Sequence, residues 1–434
     1  MTSGAQRVRA YTGLEEVQRI GLPVATCAQR IGRFGFASQQ LMFVQAGKMS
    51  SVANWEFKAG VARQLYESAL HWGTWRDRLV ELRGHGHLIE QQADDKLGDF
   101  FGELLASEGD AELAVGLYRV VLPAYRSALQ RYAAESNALA DWASVRALRH
   151  VLLDLDAQQE FGESVLAALV GPDDGTVARE AAAWQQHLQA YLDAAGGLDG
   201  AQPEVPSYQL PEPRSFEPFR VPGEFKRDER FLTIIPKLDP FPGEDVRDKL
   251  LSAMWVLGQE MTAAELCATV LYEWEGLPYE GCRDLARQCW DECRHSLFGQ
   301  AALEGEGIPL ESLPSWVGYA GHTMPQPPVK RYAHLAIATE AAQMRHPGGK
   351  RTVWEWCRDV AGHDLMTTFQ DFDWADEVNH VKYGREWIVR FHFKGNSALA
   401  QSMADETVAE RLAYYRQFLP ETTDDSTSKE AYWR

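Results

Sequence analysis

Asp376-Glu377-Val378-Asn379-His380-Val381-Lys382-Tyr383-Gly384 decides the reading of this chain, because it has an echo upstream. Asp291-Glu292-Cys293-Arg294-His295-Ser296-Leu297-Phe298-Gly299 repeats its pattern, and both stretches fit Asp-Glu-x-x-His-x-x-(Phe/Tyr)-Gly. Residues three apart share a face of a helix, so each stretch offers a carboxylate and an imidazole to one point in space. Two such helices, with a carboxylate from each of two others, make the di-metal site of a four-helix bundle. A lone Glu-x-x-His arises by chance about once in a chain of this composition. Among the histidines only His295 and His380 have Glu three residues before them, and the two matches agree at further positions.

Working outward, each of these helices needs a preceding partner helix with a carboxylate. Helical periodicity predicts helices over 244–275, 279–304, 329–346, 351–361 and 364–392, with one more over 397–418. Glu340 is the only acidic residue of 329–346 and lies among small apolar residues, where an unpartnered carboxylate would be costly to bury. On 244–275 the candidates are Glu260, Glu265, Glu273 and Glu275. Glu265, in Ala263-Ala264-Glu265-Leu266, is preferred, with Glu260 the fallback. The expected ligands are therefore Glu265, Glu292, His295, Glu340, Glu377 and His380. Mixed oxygen and nitrogen ligation suits two iron ions, with manganese or a mixed pair as alternatives, and the absence of thiolates argues against structural zinc. Asp291 and Asp376 are candidate acceptors that would orient the imidazoles, each serving the opposite half of the site or lying outside it.

Upstream, strong helical patterns run over 51–82, 89–107, 110–135, 139–170 and 176–195, which reads as a second bundle over 51–195 after a mixed segment, 1–50. Nine of the twenty prolines fall between Pro203 and Pro242, so 196–243 is a linker or extended arm. Phe216, Phe219, Phe225, Phe231, Leu232, Ile234 and Ile235 suggest that it packs down. The His-x-His of Gly84-His85-Gly86-His87 reads as a solvated turn, and the end of 393–434 as a polar tail.

The formal net charge of −19 disfavours a phosphate backbone as partner. No apolar run is long enough to span a membrane and no apolar stretch follows the N-terminal arginines, so neither an anchor nor a secretory signal is expected. Six cysteines, three of them (Cys282, Cys289 and Cys293) on one predicted helix, read as small buried side chains in a reducing, cytoplasmic setting.

The helix carrying His380 resembles the ferritin-like di-iron carboxylate superfamily, and within it a MiaE-like group of bacterial proteins related to a tRNA hydroxylase. Those proteins carry Glu-Val-x-His-Val-x-x-Gly-x-x-Trp, and this chain has Glu377-Val378-Asn379-His380-Val381-Lys382-Tyr383-Gly384-Arg385-Glu386-Trp387. Asp291-Glu292-Cys293-Arg294-His295, Glu340-Ala341 and Glu265-Leu266 resemble their other ligand helices, although Ala263 stands where those proteins usually have a histidine. The resemblance covers about 245–392. It implies an all-α chain of two ferritin-like bundles, the C-terminal one over 244–392 carrying the di-metal site. The N-terminal bundle resembles a decayed, metal-free copy: Glu67 and His71 are four apart, and Gln158 lies where a ligand histidine is expected.

The function implied is an O2-dependent di-iron oxidase or oxygenase acting on a small organic molecule, by hydroxylation, N-oxygenation, desaturation or oxidative cleavage, in secondary metabolism. Tyr272, Trp290, Trp374 and Tyr383 lie within a few turns of the ligands and read first as packing residues. The expected partners are the small-molecule substrate, an external electron donor and a second copy of the chain. The alternatives are an iron- or manganese-binding protein without turnover and a tRNA-modifying hydroxylase, which the net charge disfavours.

Overall fold

The computed structural model describes residues 17–85, 95–171, 175–203, 206 and 210–418. The N-terminal arginines, the second half of the 84–87 turn, part of 171–175 and the polar end of the tail lie outside them. The described residues are mostly helical with very little strand, in keeping with an all-α chain, and they divide into two compact units. One comprises the described residues up to Val44 and from Glu67 to Phe219; the other runs from Gln45 to Tyr66 and from Arg220 onward.

The first unit holds α1 (Val24–Met49), α2 (Trp55–Glu81), α3 (Asp95–Leu105), α4 (Gly109–Val115), a π-helical turn at Gly116–Val121, α5 (Leu122–Glu135), α6 (Trp142–Leu169) and α7 (Thr176–Ala194). The last residues of α1 and the first of α2 belong to the other unit. The mixed segment expected over 1–50 is instead largely the 26-residue α1. Its sequence shows little periodicity because most of its faces are buried: Phe34, Phe36, Ala37 and Leu41 are enclosed, and so are Arg33, Ser38 and Gln39. The Arg33 guanidinium donates to the carbonyls of Ala195, Gly197 and Leu198, which satisfies its charge inside the fold. Phe34 meets Trp75, Tyr125 and Tyr132, and the Tyr125 hydroxyl accepts from Trp75 Nε1 at 2.6 Å.

The second unit holds β1 (Thr233–Ile234), α8 (Val246–Gly258), α9 (Met261–Glu273), α10 (Tyr279–Gly305), β2 (Ser315–Trp316), α11 (Gly318–Thr323) and α12 (Pro328–Ala333). It continues with a π-helical stretch His334–Glu340, α13 (Ala341–Gln343), α14 (Lys350–Trp356), a π-helical turn Cys357–Ala361, α15 (Asp364–Gly384), a π-helical extension Arg385–His392, and α16 (Ser397–Tyr415). β1 and β2 pair in parallel.

Five expected helices are interrupted or change winding. The helix over 244–275 breaks at Gln259–Glu260, where the Gln259 side-chain Oε1 accepts from Trp316 N at 2.7 Å. The helices over 329–346 and 364–392 turn π-helical over His334–Glu340 and Arg385–His392, as those over 110–135 and 351–361 do over Gly116–Val121 and Cys357–Ala361. Such insertions turn the following side chains to a new face and recur near functional sites.

The glycines that close the two echoed motifs both mark close helix contacts. A Cβ at Gly299 would stand 2.3 Å from Gly258 N and 2.4 Å from Met254 O, so α10 and α8 meet backbone to backbone. Ser296 Oγ donates to Gly258 O at 2.8 Å beside this contact. A Cβ at Gly384 would lie 2.7 Å from that of Ala336, which seats α15 on the stretch leading to Glu340. The repeated glycine thus places each Glu-x-x-His helix against its carboxylate-bearing partner.

The arm is anchored by polar contacts more than by its apolar residues. Phe225 is buried, but Phe216, Leu232 and Ile235 are exposed, contrary to the expectation that they pack down. Within the second unit Lys226 N donates to Ser50 O, Asp228 accepts from Trp55 N, and Arg230 grips Glu56 with two nitrogens.

Candidate metal centre

Glu292 and His295 project from one face of α10, Glu377 and His380 from one face of α15, and Glu340 from the end of its π-helical turn. All five are buried and converge. His380 Nδ1 lies 3.2 Å from Glu292 and 3.4 Å from Glu377. His295 Nδ1 lies 4.0 Å from Glu292. Donor atoms of Glu292, Glu340 and His380 all fall within 4.8 Å of one another, the spacing a single cation would need.

The sixth expected ligand is corrected. Glu265 does not reach the site. It is enclosed by Lys58 Nζ and by a bidentate clasp from Arg227, Nη1 to Oε1 at 2.7 Å and Nη2 to Oε2 at 3.0 Å. Two cations already balance its charge, so no metal is needed to bury it. Glu260 takes the place: its Oε2 is 3.2 Å from His295 Nδ1. Five residues at about 100° each put Glu260 and Glu265 roughly 140° apart on a helix, so both cannot face one site. The close approach at Gly258–Gly299 brings Glu260 up to His295.

Two further residues join the site. Asp373, one turn before Glu377, has an oxygen 3.4 Å from His295 Nδ1, and His295, Asp373 and Glu377 form another potential ligand group. Its i, i+4, i+7 spacing to Glu377 and His380 was the signal that could have found it. The equivalent residue on α10 is Gln288, whose amide donates to Glu292 at 3.3 Å and accepts from the Tyr332 hydroxyl. Lys350, the first residue of α14, extends its ammonium to Asp373 at 2.6 and 2.8 Å, Glu377 at 2.9 Å and Glu260 at 3.4 Å. No motif marks it in the sequence.

The imidazoles are oriented crosswise. His295 Nε2 meets Asp376 at 3.4 Å, and His380 Nε2 lies 3.5 Å from Asp291. Each aspartate therefore serves the imidazole of the other motif. Arg294 contacts both aspartates, and so does Arg287, which ties the two halves together from outside.

In the metal-free protein, protons and an ammonium balance this acidity. Burial would lower His295, but Asp373, Asp376 and Glu260 outweigh it and raise it to about 10. Against burial, Asp291, Glu292 and Glu377 likewise raise His380. Burial and the neighbouring Glu377 and Glu292 hold Glu340 protonated far above the usual range. Burial opposes the charge of Glu377, but Lys350, Glu340 and His380 keep it ionised.

The residues fit a metal. Glu260 Oε2, His295 Nδ1, Glu340 Oε2, Glu377 Oε2 and both ring nitrogens of His380 are buried, most with ion-pair contacts but none with a well-aligned hydrogen bond. Buried polar atoms without a hydrogen bond occur elsewhere too, on His322 and His334 for example, but the carboxylate oxygens and Nδ1 atoms here share one point of convergence. The potential ligand groups found among the described residues all belong to the second unit. In the first unit, Glu67 accepts from the Gln158 amide at 2.8 Å and His71 Nε2 lies 2.9 Å from Asp154, so these side chains are partnered locally. All six cysteines are free and buried, and none joins the cluster. No described helix is long and apolar enough to cross a membrane. No protein-family model, curated protein or solved structure matches the chain.

Proposed function

We propose that the second unit is a ferritin-like bundle holding two iron ions and that the protein is an O2-dependent non-haem oxidase or oxygenase of a small organic molecule. The observation that carries this reading is the convergence of buried donor atoms on Glu260, Glu292, His295, Glu340, Glu377 and His380 at ligand spacing. One position would be held by Glu260, Glu292 and His295, with Asp373 and Glu377 beside it; the other by Glu292, Glu340 and His380, with Glu377 adjacent. Bound there, redox-active cations would supply the electrons and Lewis acidity for reducing O2.

The chain's own residues fix that environment. Asp376 bonds His295 Nε2 and Asp291 lies 3.5 Å from His380 Nε2, so each Nδ1 faces the carboxylates, and burial keeps bulk water from the donors. Ala341 and Val381, the chain neighbours of Glu340 and His380, line an open surface pocket of about 320 Å³ together with Ala336, Ile337, Arg385 and Gln401. Its largely apolar wall with a few polar groups suits a small organic substrate.

The test is metal content after anaerobic Fe(II) loading of wild type, His380→Ala and Glu340→Ala. About two irons per chain at saturation, falling in both variants, is the expected outcome and would justify substrate screening under O2. Absence of bound iron and manganese from every loaded sample would sink the reading.

A further inference from the structure

The two halves of the site are not alike. The His295 half contains Asp373, contributed by the His380 helix, whereas its counterpart on the His295 helix, the neutral Gln288, lies beside Glu292; among the described residues only the His295 half contains a lysine. The Lys350 ammonium contacts Asp373, Glu377 and Glu260, three of the carboxylates that surround His295. In the other half, Glu292 and Glu340 make no ion pair with any described lysine or arginine; their charged neighbours are the imidazoles.

Lys350 is also placed by backbone. It opens α14 directly after Gly349, where a Cβ would stand 1.9 Å from Gln343 O and 2.3 Å from Arg345 O. That turn admits only glycine, and it delivers the next residue into the interior. The side chain is 4% exposed, so its ammonium cannot exchange its carboxylates for water without movement.

We infer that Lys350 is the resident cation of the His295 half, so that metal loads in order. The first divalent cation enters between Glu292, Glu340 and His380; the second must displace the ammonium from Asp373, Glu377 and Glu260. This ordering rests on the metal-binding reading above. An ammonium with charge-assisted bonds to three carboxylates is a direct competitor for them. Losing one to two such bonds would weaken the second step about 100-fold relative to the first.

The experiment is a Mn(II) titration of the full chain, followed by calorimetry and electron paramagnetic resonance, for wild type, Lys350→Met and Lys350→Gln. Wild type should show an isolated-ion spectrum at one equivalent and a second, weaker step. Both variants should strengthen that second step about 100-fold and show a spin-coupled pair at two equivalents. Circular dichroism verifies that the variants are folded. A wild-type crystal soaked at one equivalent gives a readout independent of any variant: anomalous density should lie beside Glu340 and His380. Equal affinity for both ions in wild type, an unchanged second step in folded variants, or first density beside Glu260 and His295 would overturn the ordering while leaving the metal site intact. No binding by any of the proteins would refute the metal reading and the ordering with it.

Discussion

Replacing Glu265 and Glu260 separately by glutamine distinguishes a structural carboxylate from a ligand five residues away. Glu265→Gln leaves the size of the side chain but removes the negative charge facing Lys58 and Arg227, which are 0% and 1% exposed at their side chains. Lys58 keeps the Lys226 carbonyl and Arg227 keeps Ser315, both neutral acceptors. Breaking a buried pair by removing one partner costs roughly 3–5 kcal/mol. In a unit of this size each kcal/mol moves the melting temperature by about 2–4 °C, so the variant should melt on the order of 10 °C lower. Its iron content at saturation should match wild type. Glu260→Gln should behave in the opposite way: Lys350 retains Asp373 and Glu377, so melting changes little, while iron capacity falls by about half because one of two positions loses a ligand. Differential scanning calorimetry and metal analysis on the same samples give both readouts. An iron loss in Glu265→Gln with unchanged melting would refute the assignment of Glu260 over Glu265.

Two further outcomes follow from features of the second unit. Gly299→Ala forces a methyl group against the backbone of α8, so it should destabilise by about 1–3 kcal/mol or more and weaken metal retention by moving Glu260 away from His295; equilibrium urea unfolding and metal content check both. His322 and His334, enclosed beside Tyr319 and Thr407, are lowered to about 3, by burial and by Arg411 for His322, and by burial, His322 and Arg411 for His334. The unfolded chain binds their protons near 6.5, so stability is full above that pH and is lost as pH falls through 6.5 toward 3, by about 2 kcal/mol per residue at pH 5. His322→Leu should flatten the dependence of the urea midpoint between pH 7.5 and 5, and a curve parallel to wild type would exclude this source of acid sensitivity.

Five of the ligand candidates were legible because their geometry is local. A helix with Glu three residues before His must put both on one face, and the repeated motif named Glu292, His295, Glu377 and His380 without tertiary information. Glu340 followed from being the only acidic residue of its predicted helix, among small apolar neighbours. Glu260 and Glu265 could not be separated this way, because the choice depends on Lys58, 207 residues away, and on Arg227 in the arm. Both carboxylates sit in apolar sequence, and only the location of their counter-cations distinguishes them. Lys350 escaped notice for the same reason: a lysine after two glycines reads as an exposed helix start until the turn is seen to aim it inward. α1 was missed because hydrophobic periodicity reports a helix with one wet face, and this helix has almost none.

The crossed aspartates have a consequence for how the two motifs can change over generations. If each copy oriented its own histidine, one could drift to a neutral, metal-free form while the other kept working. Here Asp376 steadies His295 and Asp291 lies against His380. A substitution that erodes one copy therefore also disorders the imidazole of its counterpart, and restoring the damage requires a change in a helix more than eighty residues away in sequence. The two motifs therefore depend on each other: neither imidazole keeps its neighbouring carboxylate if the other helix loses its aspartate.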